Sequence, residues 1–155
     1  MNSEPIRDDG RYHIYVDVGR DVDAASLNAA AEVVRSVIQE IPGCPVAVTS
    51  GRIVSKTNDM LYQFAPKQPF IRTDRKYVDV FIRLFLAVLL QRGAINAAVD
   101  DDGRSIAENG VLAIPKDPEK FEWGQDWERL RRAIEKHWAT TANPAIISTD
   151  SRYAW

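Results

Sequence analysis

The residues with the most chemistry to offer are acids. The stretch "RYHIYVDVGRDVD", residues 11–23, carries Asp17, Asp21 and Asp23 near the end of an apolar run. A second cluster, Asp100, Asp101 and Asp102, follows "INAAV". Carboxylates gathered at a strand end suit Mg²⁺, which takes oxygen ligands and serves phosphoryl transfer. On that reading the chain is a metal-dependent phosphoesterase or nuclease with Asp17 and Asp21 among the ligands. Such a site also needs acids from other elements, and Asp59, Asp79 or Asp100 to Asp102 are the candidates. The simpler reading, which we favour, is structural. Asp17 is a solvent-facing strand position, Asp21 a turn residue, and Asp23 or Asp21 the N-cap of the next helix.

Other constellations fall short of chemistry. Aligning Gly103 with the glycine of a calcium loop puts Asp100 and Asp102 on ligand positions three and five. Position one is then Ala98 and position twelve Asn109, so the first aspartate and the bidentate glutamate are missing. Asp102-Gly103 reads better as a hairpin turn. Two histidines in one cleft can do acid–base work on phosphate esters. Here the places two residues after His13 and His137 hold Tyr15 and Ala139, not the hydroxyl pair such enzymes use. Cys44 precedes a strand, with no helix N-terminus to lower its pKa, and reads as an inert thiol. There is no phosphate loop, zinc pattern or nucleophile elbow. No cofactor is expected. The reading leans away from an enzyme.

The elements that would position these residues follow from periodicity. Tyr12 to Val18 alternates as a strand, with His13, Tyr15 and Asp17 on one face. Leu27, Ala31, Val34, Ile38 and Ile41 make a helical seam, ended by Pro42 and Gly43. Pro45 to Thr49, Arg52 to Ser55 and Met60 to Phe64 read as strands, and Pro66 and Pro69 bracket a loop. A second helix is expected from Asp74 to Arg92, apolar around most of its circumference. Such a helix is buried on several sides or joins a second copy of the chain. Ile95 to Val99, Arg104 to Glu108 and Val111 to Ile114 read as a meander. Trp123, Trp127, Leu130, Ile134 and Trp138 form a third helical seam after Asp117-Pro118. Ala145 to Ser148 is a short last strand.

The expected class is α+β, a mostly antiparallel sheet with helices on one face. The first half has the strand–helix order of a ferredoxin-like split βαβ core, extended by the meander and a C-terminal helix. Residues 1–10 read as a flexible tail and 11–155 as one domain. The chain of 155 residues is 45% hydrophobic and 27% charged, an ordinary globular profile. Its net charge of −2 disfavours nonspecific nucleic-acid binding, so no nucleic acid is expected. One cysteine permits no internal disulfide. The polar N-terminal segment lacks a signal peptide's apolar core. The most apolar run, Tyr77 to Leu90, is shorter than the ~20 residues a membrane span needs. A cytoplasmic protein with no membrane contact is expected.

With no catalytic constellation, the leading expectation is a non-catalytic protein-binding module, an inhibitor or immunity-type regulator of a protein partner. It would present Asp21, Asp23, Asp100, Asp101 and Asp102 to a basic surface, with Tyr153 and Trp155 of the C-terminal "RYAW" as aromatic anchors. The alternatives are the aspartate-cluster phosphoesterase and a homodimer through the Asp74 to Arg92 helix.

Overall fold

The computed structural model describes residues 12–49, 52–56, 60–63, 70–74, 77–115, 127–142 and 145–149. The expected N-terminal tail, the Asp117-Pro118 helix start, Asp59, Trp123, Tyr153 and Trp155 lie outside them. The chain runs β1 (His13–Asp17), α1 (Ala24–Gln39), β2 (Val46–Thr49), β3 (Arg52–Ser55), β4 (Met60–Gln63) and β5 (Phe70–Arg72). It continues through α2 (Val78–Gln91), β6 (Ala97–Asp100), β7 (Ala107–Glu108), β8 (Val111–Ala113), α3 (Trp127–Ala139) and β9 (Ile146–Ser148). This is an α+β fold.

The helix starts follow from local chemistry. Asp23 is the N-cap of α1, and its carboxylate accepts the Ser26 amide at 3.0 Å. That hydrogen bond holds the Asp23 carboxyl below its ordinary pKa. The second helix begins four residues later than the sequence suggests. Asp74 sits at φ +53, a left-handed conformation that cannot enter a right-handed helix. Its carboxylate instead turns back to accept the Tyr12 amide at 3.3 Å and Arg72 Nε at 2.7 Å.

The strands divide into three sheets of three, ordered β5-β1-β6, β2-β3-β4 and β7-β8-β9. This division does not confirm the ferredoxin-like detail. A split βαβ core needs its crossover strands in one sheet, whereas β1 and β2 belong to different ones. An unforeseen strand, β5, which follows Pro69, pairs antiparallel with β1 on the side opposite β6. The expected meander is also divided. β6 pairs with β1, while β7 and β8 form a separate hairpin, linked to β6 by the Val99–Ser105 bridge, the Ile106 amide on the Ala98 carbonyl at 2.8 Å and the Asp100 amide on the Arg104 carbonyl at 2.9 Å. Among the described residues all pairings are antiparallel except β8 with β9.

The core is organised around α2. Every residue from Val78 to Leu89 is buried, and the helix touches α1, β3, β6, β7 and β8. This burial bears on the helix expected to be able to join a second copy. Phe85 and Leu89 are fully covered by the chain itself. No helix among the described residues is long and apolar enough to cross a membrane. The third helix lays Leu130, Ala133, Ile134 and Trp138 onto this core, and the Trp138 indole donates to the Gly110 carbonyl at 2.9 Å.

Candidate binding face

The β5-β1-β6 sheet has two unlike faces, and strand alternation assigns every residue to one of them. Register places Ile14 opposite Ile71 and Asp100, and Val16 opposite Ala98. These residues point inward. It places Tyr15 opposite Phe70 and Val99, and His13 opposite Arg72. These point outward, together with Asp17 and Ala97. Tyr15 is 46% exposed and Phe70 39%, both large apolar groups open to solvent. The His13 ring meets the Phe70 ring edge-on at 5.5 Å and the Tyr15 ring at 6.1 Å. The outer face is therefore an aromatic patch of three rings, with Val99 beside it.

The same alternation corrects the reading of the second aspartate cluster as a presented acidic loop. Asp100 is an inward position, 2% exposed, and its carboxylate accepts Arg83 Nη1 at 2.9 Å. Arg83 is itself fully buried. It donates through Nε to Asp79 at 2.6 Å, through Nη1 also to the Ala113 carbonyl at 3.3 Å, and through Nη2 to the Tyr12 hydroxyl at 3.3 Å. Thr73 donates its hydroxyl to the second Asp79 oxygen at 2.5 Å. The guanidinium thus joins α2 to the beginning of β1, the end of β6 and β8.

Burial pushes the Asp79 carboxyl upward, against the pull of Arg83 and the Thr73 hydroxyl. Burial alone would lower Arg83, but the Asp79 charge and then Tyr12 hold it above its ordinary value. Burial raises Tyr12 as well. Asp102 is also buried, and its amide donates to Asp100 Oδ1 at 3.0 Å, as does that of Arg104. Asp100 and Asp102 are thus turned away from solvent.

Asp101, one residue on, returns to the outer face. Its Oδ2 accepts the His13 amide at 2.8 Å and lies 3.2 Å from His13 Nδ1. The turn therefore couples the buried charge network, through Asp100, to the aromatic patch, through Asp101.

The first aspartate cluster stays apart. Asp17 and Asp21 are exposed, and Asp23 is spent on the helix cap. Among the described residues no group of three or more His, Cys, Asp or Glu side chains is placed to hold a metal ion. His13 and His137 serve different contacts: His137 pairs with Glu40, the C-cap of α1. Burial raises the Cys44 thiol pKa, which works against nucleophilic use. Two open clefts, of about 470 and 340 Å³, flank β9. The first is lined by Trp127, Glu128, Arg131, Ile147 and Thr149, and neither cleft has a histidine or cysteine in its described wall.

Sequence reasoning missed Phe70 and the buried triad of Asp79, Arg83 and Asp100. The signal for the triad was present: two opposite charges four residues apart in an otherwise apolar helix. Phe70 carried no such signal, because its strand is three residues long and follows a proline. Compared with protein families, with characterised proteins and with solved structures, the chain matches none.

Proposed function

We propose that this chain is a protein-binding module whose docking surface is the outer face of the β5-β1-β6 sheet. One observation carries the reading. Two large aromatic side chains, Tyr15 and Phe70, stand exposed side by side on a sheet whose other face is anchored in the core. Rings held this way bury much area on docking at little entropic cost, which is why aromatic residues dominate the energetics of protein interfaces. The backing is rigid, since Ile14 and Ile71 beneath them belong to the core and Asp101 fastens His13. Inhibition or immunity-type regulation of a partner is the form of this reading that fits the exposed carboxylate of Asp17 beside the patch.

The test is a comparative capture. Wild-type protein and a Tyr15→Ser/Phe70→Ser variant are immobilised and exposed to the same extract from the source cells. Both should be equally folded, since the two side chains project into solvent. The reading expects a protein retained by the wild type and lost by the variant, with binding reproduced from purified components. Equal retention by both would refute it.

A further inference from the structure

We infer that the docked partner places an arginine or lysine side chain between the Tyr15 ring and the Asp17 carboxylate. This rests on the docking reading above and adds the chemistry of the partner. Tyr15 and Asp17 lie two residues apart on the same face of β1, about 6.8 Å along the strand. A cation seated over the ring, within ~6 Å of its centre, reaches the carboxylate as well.

The other acids of this region are engaged. Asp23 caps α1, Asp74 holds Arg72, Asp100 holds Arg83 and Asp101 holds His13. Asp17 and Asp21 are exposed, and neither side chain has a hydrogen bond or ion pair with another described residue. Arg20 lies between them in sequence but reaches across to the Gly93 carbonyl at 3.4 Å.

Covering Tyr15 would dehydrate the neighbouring Asp17. A partner without a cation there would leave a carboxylate unpaired in a drying interface, which is costly. A partner with one gains both the ring and the charge, and the carboxylates steer its approach.

The test uses the full chain, labelled with ¹⁵N, in amide chemical-shift titrations at low salt. Three blocked probes are compared: acetyl-Leu-Arg-Leu-amide and its Gln and Glu counterparts. The Arg probe should shift the amides of Tyr15, Asp17, Phe70 and Val99 and bind about two- to fivefold more tightly than the Gln probe, the range a surface cation–π contact supplies. Asp17→Asn should erase that preference without changing the unfolding midpoint. Equal binding of the Arg and Gln probes, or no shift at these amides, would overturn the inference. Because exposed aromatics on a sheet also stack bases, an oligothymidine that shifts the same amides more strongly than the Arg probe would overturn it too. These outcomes are separable from failure of the docking reading. Loss of capture on removing Tyr15 and Phe70 upholds the face even where the cation preference is absent.

Discussion

Replacing Arg83 with methionine should be among the most damaging single changes available to this chain. Arg83 is fully buried and donates to Asp79, Asp100, the Ala113 carbonyl and the Tyr12 hydroxyl. Methionine fills much the same volume, so the cost comes from the partners left behind and not from a cavity. Two carboxylates, themselves at most 2% exposed, lose their common counter-charge. Asp100 keeps the amides of Asp102 and Arg104 on Oδ1. Asp79 keeps the Thr73 hydroxyl.

Removing one member of a buried pair costs about 3–5 kcal/mol, because an uncompensated charge stays inside. For a chain of this length that lowers Tm by about 6–20 °C. The assay is urea unfolding followed by tryptophan fluorescence, with an unchanged denaturant slope confirming that only stability moved. Adding Asp79→Leu to the methionine variant removes the charge left most exposed to this loss. The double variant should therefore be more stable than the two single costs added together, by about 0.5–3 kcal/mol. An Arg83→Met variant within ~1 kcal/mol of wild type, or strict additivity of the two changes, would refute this account of the network.

Three further outcomes follow from other parts of the fold. Gly19→Ala should cost about 1–3 kcal/mol, since its φ of +74 strains any side chain, while the exposed Asn96 amide that a Cβ would meet can swing aside; an unchanged denaturation midpoint would contradict this. Glu40 is held below its ordinary pKa by its hydrogen bond with His137 and then by Lys136. Its depressed folded value means that its contribution is fully present above about pH 4.5, the ordinary glutamate value, and is lost as pH falls through the folded one. The stability gap between wild type and Glu40→Gln should close on acidification, and a gap constant from pH 6 to pH 3 would be the wrong result. Asp101→Ala should weaken partner binding and speed hydrogen exchange at the His13 amide, whose acceptor it removes; unchanged exchange would show that Asp101 does not hold that strand.

The local structure was largely legible in the residues. Alternation in Tyr12 to Val18 defined β1 and put His13, Tyr15 and Asp17 on one face. The α1 seam and its aspartate cap were equally clear. Long-range pairing was not legible, because one of the two partners of β1 is a strand of only three residues whose one inward residue is Ile71. That omission hid Phe70 and with it the second ring of the exposed face.

Asp100 was misjudged for a related reason. A run of three aspartates before a glycine looks like a solvated turn, yet its first member is still inside β6, and its inward direction is fixed by Ile14 across the ladder. Local composition cannot reveal that a buried arginine on α2 waits there. The all-round burial of α2 was one of two readings its composition allowed, and the single chain supplies the cover.

The central claim is that Tyr15 and Phe70 are where a partner sits. Hydroxyl-radical footprinting of the complex with the captured partner tests it most directly, because Ile146 supplies an internal reference. Ile146 is 49% exposed on β9, in a different sheet. The account predicts that Tyr15 and Phe70 lose reactivity in the complex while Ile146 keeps it. Protection of Ile146 with Tyr15 and Phe70 still reactive would contradict it.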